Sequence, residues 1–298
     1  MKIENSIESR KTAQTYCPVC KSRAKYFFSK RQYHIYQCLN CKLGFLHPMP
    51  TWEEVRAVYT SSYYNSSESD YGYHVSYTLL EKGLKRQYLT LLKAIKKIFP
   101  EIKPSSILDV GCAYGYFLDV AAQMWAPQKL VGTDLNPGVK QIIEQKGYSF
   151  ICSPVEELTL NIDSLFDLIF LGDCFEHFYN PFKVMEEIRS LLSPKGIVVL
   201  TTVNFNSFLS LFFKQKWRLM TPPEHLFFWT PESIKILFSQ YRLKVRCQKY
   251  WLFYPKSYVY QTFYDQFRFK PFFLKLFPFN IIPIYTFDTF LAIAWQHE

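Results

Sequence analysis

Short β-branched runs alternate with segments of helical spacing from residue 105 to residue 203. The apolar runs are SSILDVG, KLVGTDL, YSFIC, FDLIFLGD and GIVVLTTV, in that order. Helical patterns lie between them at about 115–125, 137–146 and 181–193. Strands that alternate with helices form a mainly parallel sheet whose two faces are covered by helices. The alternation therefore predicts an α/β fold.

The pattern changes after residue 202. A short amphipathic helix is predicted in NSFLSLFFKQKW, and a second helix in TPESIKILFSQY, where Thr230 precedes Pro231 at the first helical position. LKVRCQKYWLF and TFDTFLAIAW are two further strand-like runs. The residues between them, about 254–285, form an aromatic insert with four basic residues and one acid. We expect the insert to be a substrate lid, a membrane-surface contact, a dimer interface or a plain packing extension.

The turn in ILDVGCAYGYFLDV, residues 107–120, matches neither common phosphate cradle. Its order Gly-Cys-Ala-Tyr-Gly, residues 111–115, does not place glycines at the offsets of G-x-G-x-x-G, and it lacks the Gly-Lys-Ser/Thr ending of a phosphate loop. Asp109 instead ends an apolar strand, and Asp134 ends the next one. Ligands of parallel α/β sheets bind beyond the carboxyl ends of the strands, where both acids would lie. Asp134 is suited to accept hydrogen bonds from ribose hydroxyls, and its alternative role is to cap the following helix with Asn136.

Four motifs occur in order between residues 105 and 253: ILDVGCAYGYFL, LVGTDLNP, FDLIFLGDCFEHFYNP and LLSPKGIVVLTT. With them the chain resembles the class I S-adenosylmethionine-dependent methyltransferases. The resemblance implies a Rossmann-like seven-stranded sheet with helices on both faces and S-adenosylmethionine as cofactor. This chain has Ala113 where the family most often has glycine, which keeps the position small.

The resemblance also implies a cofactor site made of the glycine turn and of residues that follow the next strands. Asp109, Gly111, Cys112 and Gly115, with Ala113 in the same turn, would surround the methionine half. Asp134 would hold the ribose and Leu135 would lie against the adenine. Residues near 153–156 would contact the adenine edge. Asp173 and Cys174 would approach the methionine end.

Two Glu-His pairs follow strand-like or apolar segments: Glu176 with His177, and Glu224 with His225. Methyl transfer is an in-line displacement, so it needs positioned reactants first and a base second. An imidazole has the pKa for that base. We therefore predict His177 and His225 as catalytic residues and Glu224 as the group that orients the base. The alternatives are structural, with His177 fixing its loop and His225 clamping the apolar LFFWT run.

Cys17, Cys20, Cys38 and Cys41 form two CxxC pairs with seventeen residues between them. The spacing is typical of a tetrahedral zinc site with four thiolates. Because four thiolates leave no open position, the metal is predicted to be structural. Redox chemistry is the alternative. We predict a zinc-ribbon-like unit over 1–50, a connector with helices over 51–104 and a methyltransferase domain over 105–298.

The net charge is +10, and residues 1–50 carry nine Lys or Arg against two Glu. A basic ribbon is compatible with nucleic acid, so an RNA-modifying methyltransferase is one alternative. The ribbon also resembles the amino-terminal unit of small-molecule and sugar methyltransferases. We therefore expect a small-molecule acceptor, namely a saccharide, a nucleotide-sugar or a lipid-linked metabolite. A non-catalytic binding protein on the same fold is the third reading.

No apolar stretch follows the first basic residues, and the start does not resemble a secretory signal. We therefore expect a cytoplasmic protein. The longest apolar stretch, 271–295, is interrupted by Pro278 and Pro283, so no spanning helix is expected. A peripheral membrane contact stays open, because the region is rich in aromatic and basic residues.

Overall fold

The computed structural model describes residues 15–59, 77–267, 278 and 280–296. The chain begins with four strands: β1 (Thr15–Tyr16), β2 (Arg23–Lys30), β3 (Tyr33–Cys38) and β4 (Gly44–Leu46). Two helices follow, α1 (Trp52–Arg56) and α2 (Tyr77–Ile98). Residues 60–76, which belong to the predicted connector over 51–104, lie outside the described residues.

The predicted alternation is confirmed in the next segment. Its elements are β5 (Ser106–Val110), α3 (Tyr116–Trp125), β6 (Lys129–Asp134), α4 (Lys140–Gln145), β7 (Ser149–Cys152), β8 (Phe166–Gly172), α5 (Pro181–Leu191) and β9 (Leu192–Val203). Two 3-10 turns lie at Pro137–Val139 and Val155–Leu160. These five strands are parallel to one another.

The last part of the chain completes three sheets. Its elements are α6 (Phe208–Phe213), a 3-10 turn at Lys214–Lys216, β10 (Phe227–Phe228), α7 (Pro231–Gln240), β11 (Leu243–Gln248), β12 (Trp251–Pro255), α8 (Lys256–Phe267), β13 (Ile281–Tyr285) and β14 (Thr289–Gln296). The main sheet has the strand order β11-β14-β9-β8-β5-β6-β7, with β14 antiparallel to both neighbours. The predicted seven-stranded Rossmann-like sheet is therefore confirmed.

Apolar side chains cover both faces of the main sheet, as expected for buried parallel strands. On one face, α2 and α3 contribute a core in which Phe117 stacks on Phe170 with ring centroids 3.8 Å apart. On the other face, residues of α5 and α7 share a single core with the amino-terminal strands. The ring of Phe175 packs against Trp229 and Phe238 in that core.

The amino-terminal sheet consists of β1 to β4 and a fifth strand, β10, from the methyltransferase part. Phe227 pairs with Phe45, and Phe228 pairs with Gly44. Thr230 Oγ1, buried at the start of α7, donates a hydrogen bond of 2.7 Å to the carbonyl oxygen of Cys41. The amino-terminal unit is thus joined to the core by a shared strand, and a boundary at residue 50 stays a prediction.

The predicted strand-like run LKVRCQKYWLF divides into two strands. β11 stays in the main sheet, whereas β12 pairs with β13 in a separate antiparallel hairpin. The amide of Tyr250, at the break, donates to Thr286 Oγ1 at 3.1 Å. The hairpin lies against α2, where a Cβ on Gly83 would fall 2.0 Å from the carbonyl oxygen of Phe253. Glycine is required there for this close approach.

The aromatic insert contains α8 and parts of β12 and β13, whereas residues 268–277 and 279 lie outside the described residues. None of the helices in the described ranges has the length and apolar character needed to cross a membrane.

Candidate functional site

The four predicted metal ligands converge at one end of the amino-terminal sheet. Cys17 Sγ lies 3.6 Å from Cys41 Sγ, and Cys20 Sγ lies 3.4 Å from Cys38 Sγ. Tetrahedral zinc with Zn–S bonds of about 2.3 Å separates its sulfurs by roughly 3.8 Å, so the cluster fits a four-thiolate metal site. All four are free thiols, and three of them are buried. The cluster is therefore positioned to hold a metal ion through protein ligands alone.

A cavity opens at the carboxyl ends of β5, β6 and β8, and we call it the cofactor cavity. Eight of the nine residues predicted for cofactor binding line it: Asp109, Gly111, Cys112, Ala113, Asp134, Leu135, Asp173 and Cys174. Ser153 and Glu156, from the predicted 153–156 segment, line it as well. The ninth predicted residue, Gly115, does not line the cavity.

The two glycines of the turn have different functions. Gly111 has a φ of +71°, and a Cβ there would lie 3.3 Å from the Cβ of Cys174. Gly111 thus keeps the turn close to the end of β8. Gly115 has a φ of +70° at the start of α3, where a Cβ would fall 2.7 Å from Ile143 Cδ1. Its lack of a side chain allows α3 to pack on α4.

Asp134 connects the glycine turn to the next loop. One carboxylate oxygen accepts a hydrogen bond of 3.0 Å from the amide of Ala113, and the other accepts one of 2.9 Å from Asn136. The neighbouring helical turn is capped by Asn136, whose side chain accepts from Gly138. The alternative role of Asp134, capping the following helix with Asn136, falls mainly to Asn136, although Asp134 accepts from the amide of that residue.

The cavity wall carries polar groups suited to a polar ligand. Burial, and secondarily the Asp134 carboxylate, raise the pKa of Asp109. Thr133 Oγ1 is buried without a hydrogen-bond partner in the part of the chain that the structure describes. An unpaired buried hydroxyl is energetically costly, so a ligand that pairs with it gains binding energy.

Aromatic residues from α1, α2 and the segment after α1 cover the cofactor cavity: Trp52, Tyr59, Tyr77 and Tyr88, with Val55 and Leu84 between them. This region was predicted only as a connector, and its contribution to the wall of the cofactor cavity was not predicted. The signal that could have found it is the unusual density of tyrosine before residue 90.

Both predicted Glu-His pairs lie at the carboxyl edge of the sheet. His177 lines the cofactor cavity, and its ring lies edge-on to that of His225 with centroids 4.7 Å apart. His177 Nδ1 lies 3.0 Å from the backbone carbonyl oxygen of Glu224, and His225 Nδ1 lies 2.8 Å from that of Leu219. Because a carbonyl oxygen only accepts, each Nδ1 carries the proton and each neutral ring has its lone pair on Nε2.

Glu176, which the sequence analysis did not single out as catalytic, joins this cluster. It is buried, and its Oε2 accepts a hydrogen bond of 2.8 Å from Thr202 Oγ1 at the end of β9. Burial, followed by the charge of Asp173, raises the pKa of Glu176 to about 8. Ligand atoms of Glu176, His177 and His225 all lie within 4.8 Å of one another. We call these three residues the His-Glu cluster.

Burial also controls the protonation of the two imidazoles. It lowers the pKa of His177, and burial together with the neighbouring His177 lowers the pKa of His225 to about 3. Both rings are therefore neutral near pH 7. Neither His225 nor Glu224 lines the cofactor cavity, so His177 is the imidazole that a ligand there would meet first.

A second cavity, here the insert cavity, lies between α6 and the β12–β13 hairpin. Its lining is mostly aromatic and aliphatic: Leu209, Phe213, Trp217, Leu252, Tyr254, Tyr258, Val259, Phe263, Ile284 and Phe287, with Arg218, Thr286 and Asp288 as polar members. Arg218 pairs with Asp288 at 3.2 Å. Asp173 follows β8 and Asp288 precedes β14, so the two acids lie at the same edge of the main sheet, on either side of β9. The two cavities are therefore neighbours.

Comparison with known proteins identifies the core of the chain. A family profile described as a methyltransferase domain matches residues 83–248, more than half of the chain. The malonyl-acyl-carrier-protein O-methyltransferase of Paenibacillus sp. strain JDR-2 is 29% identical over 113 residues, or 35% of this chain and 41% of that protein. The tRNA U34 carboxymethyltransferase of Campylobacter jejuni subsp. jejuni is 27% identical over 116 residues, or 37% of this chain and 39% of that protein. The chain thus spans about two fifths of the length of these relatives.

Solved structures share the fold over a larger part of the chain. The plantazolicin methyltransferase BamL, solved in complex with a triazolic desmethylPZN analog and SAH, has a TM-score of 0.54 at 17% identity and covers 83% of this chain and 96% of its own. The YcgJ protein of Bacillus subtilis has a TM-score of 0.51 at 18% identity and covers 72% of this chain and 99% of its own. With the family match, the strand order and the cavity beyond β5 and β6, the chain belongs to the class I S-adenosylmethionine-dependent methyltransferases.

Proposed function

We propose that this methyltransferase acts on a small-molecule acceptor bound between the cofactor cavity and the insert cavity. The observation that carries the proposal is that Asp173 and His177 of the cofactor cavity and Asp288 of the insert cavity lie at the same edge of the main sheet. Bound S-adenosylmethionine supplies an activated methyl group on a sulfonium. The protein must then hold the acceptor in line and exclude water.

Residues of the cofactor cavity have separate tasks in this proposal. Asp134, already held by two backbone amides, accepts the ribose hydroxyls, and Leu135 lies against the adenine. Asp109 and the backbone at Gly111 face the methionine half, and Asp173 and Cys174 lie at its end. Thr133 Oγ1 gains a partner when the cavity is filled.

The His-Glu cluster activates the acceptor. His177 is neutral, lines the cavity and has its Nδ1 proton bound to the Glu224 carbonyl oxygen, which leaves Nε2 as the basic atom. His225 packs edge-on against that ring and fixes its orientation. Glu224 contributes through its backbone carbonyl, so its role is to position the base.

The insert cavity favours a lipid-linked acceptor among the three classes expected from the sequence. Its lining is mostly apolar, and Arg218, the cation among its described lining residues, pairs with Asp288. An acyl or prenyl chain would occupy the apolar part, and a polar head would reach His177. Apolar cavities with a few placed polar groups are typical of ligand sites.

Zinc is the metal that we propose for the four cysteines. The sulfur spacing fits tetrahedral thiolate coordination, and the cluster supplies all four ligands. Its role is to hold the β1–β2 and β3–β4 turns together, which in turn supports β10 and the segment that carries His225.

Two experiments test the proposed function. Calorimetric titration with S-adenosylmethionine should show one site, and Asp134→Ala should weaken binding about 10- to 100-fold, because a charged acceptor contributes about 1.5–3 kcal/mol. Asp163→Ala, at an exposed position, is the matched control. Absence of binding by the metal-loaded protein would refute the proposal.

The acceptor class is tested with methyl-labelled cofactor and separate lipid, aqueous and RNA fractions. Label in the lipid fraction supports the proposal, whereas label in RNA supports the RNA-modifying alternative. Val259→Trp, which fills the insert cavity, should abolish transfer while cofactor affinity stays unchanged. Ser257→Trp, exposed on the same helix, should leave both unchanged.

A further inference from the structure

We propose that the His-Glu cluster binds a divalent transition-metal ion, separate from the metal of the four cysteines. One carboxylate oxygen of Glu176 and one ring nitrogen each of His177 and His225 lie within 4.8 Å of one another. Two imidazoles and a carboxylate are the ligand set of many catalytic zinc and non-haem iron sites. The inference rests on the proposed function only for the role of the ion, which would replace the His177 imidazole as the group that activates the acceptor.

The surroundings of the cluster match the outer shell of a metal site. Metal-bound histidines almost always donate their second ring N–H to a carbonyl or carboxylate, which fixes the ring. Both imidazoles already do so, to the backbone carbonyls of Glu224 and Leu219. Thr202 Oγ1 donates to Oε2 of Glu176 and so fixes the orientation of the carboxylate.

The position of the cluster gives the ion a function. Three protein ligands leave a fourth position for a substrate or water oxygen. His177 lines the cofactor cavity, so an ion bound to it would lie beside the region where acceptor and methyl donor would meet. The ion would bind an oxygen atom of the acceptor and hold it in line with the methyl group.

Metal content and visible spectra test the inference without turnover. The full chain, loaded with Co²⁺ and freed of excess ion, should hold two equivalents per chain. One should show thiolate-to-cobalt charge-transfer absorption and the other only the weaker bands of nitrogen and oxygen ligands. His225→Gln or Glu176→Gln should each remove one equivalent of Co²⁺. Only the weaker bands of the nitrogen and oxygen ligands should then be lost, and the thiolate-to-cobalt bands should remain. Cys20→Ser should change only the thiolate spectrum.

A milder variant keeps the test valid if a ligand substitution prevents folding. Thr202→Val removes the hydrogen bond to Glu176 and should weaken Co²⁺ binding at the second site by about 10- to 100-fold. His34→Gln, in the amino-terminal sheet and hydrogen-bonded to Ser29, is the matched histidine control and should keep both equivalents.

The outcomes separate this inference from the proposed function. A folded wild-type protein with one Co²⁺, or a second equivalent that survives both ligand variants, would overturn the metal site. Unimpaired methyl transfer by protein that holds only the thiolate-bound ion would also overturn it, and would leave His177 as the direct base. Two bound ions without S-adenosylmethionine binding would leave the metal site standing and refute the proposed function.

Discussion

Thr230→Val is the substitution that best tests whether the ribbon and the catalytic core form one unit. The hydroxyl of Thr230 is fully buried, caps α7 by accepting from the amide of Ser233 at 3.1 Å, and donates to the carbonyl oxygen of Cys41 at 2.7 Å. Loss of the cap costs about 1 kcal/mol. Loss of the buried bond to Cys41 costs about 1–2 kcal/mol, because the carbonyl is left unpaired.

The expected total is a fall of about 2–3 kcal/mol in the free energy of unfolding, or about 4–10 °C in Tm. Scanning calorimetry and urea unfolding measure it. The bond to Cys41 also supports the metal site, so release of the thiolate-bound metal to a competing chelator should be about 5- to 10-fold faster.

Ser207→Ala is the matched control. Its hydroxyl caps α6 by accepting from the amide of Ser210 at 3.1 Å and is also buried, but this hydrogen bond lies within one segment and does not join it to the ribbon. The control should lose about 1 kcal/mol and release metal at the wild-type rate. The reasoning is wrong if Thr230→Val destabilises no more than Ser207→Ala and leaves metal release unchanged.

Three further predictions follow from the packing and charges of the core. Gly115→Ala should lower the free energy of unfolding by about 1 kcal/mol more than Gly147→Ala, because both have positive φ but only Gly115 is crowded; denaturant titration that shows equal losses would contradict this. Burial raises the pKa of Asp119, but hydrogen bonds from Lys146 and Lys85, each with Nζ 2.9 Å away, outweigh it and hold the pKa low. Asp119→Asn should therefore cost about 1–2 kcal/mol at pH 7. The difference should begin to shrink near the ordinary Asp pKa of about 4 and should be lost as the pH falls through the lower pKa of the folded protein; a pH-independent difference would refute the pairing. A chain that starts at residue 51 should aggregate, because β10 and the core it shares with the ribbon become exposed; a monodisperse, cooperatively unfolding fragment would support an independent domain.

The main sheet could be predicted because its strands are buried on both faces and therefore appear as continuous apolar runs between helices. The acids at 109 and 134 could be predicted for a related reason. Each ends a strand, and the topology brings those ends to one edge. Local periodicity was sufficient for both.

The pairing of β10 with β4 could not be predicted in this way. Phe227–Phe228 is too short for a periodic signal, and its partner strand lies near the other end of the chain. The split of the run after Gln248 was missed because both parts have strand-like composition, and only the hydrogen bond from Tyr250 to Thr286 reveals the break.

The tyrosines over the cofactor cavity depend on how α2 packs, which Gly83 permits by its contact with β12. Glu176 joins His225 because the amide of Leu226 donates to the Glu176 carbonyl oxygen at 2.9 Å. Both arrangements are long-range contacts, and nothing in the local sequence encodes them.

The shared strand has a consequence for the order in which the chain folds during synthesis. The ribbon leaves the ribosome first, but its fifth strand, β10, is made only after nearly all of the parallel core. Domains generally fold in the order of synthesis, whereas contacts of large sequence separation form late. The β4 edge of the amino-terminal sheet therefore stays unpaired until β10 has been made. The segment carrying His225 reaches its final position only when β10 pairs with β4.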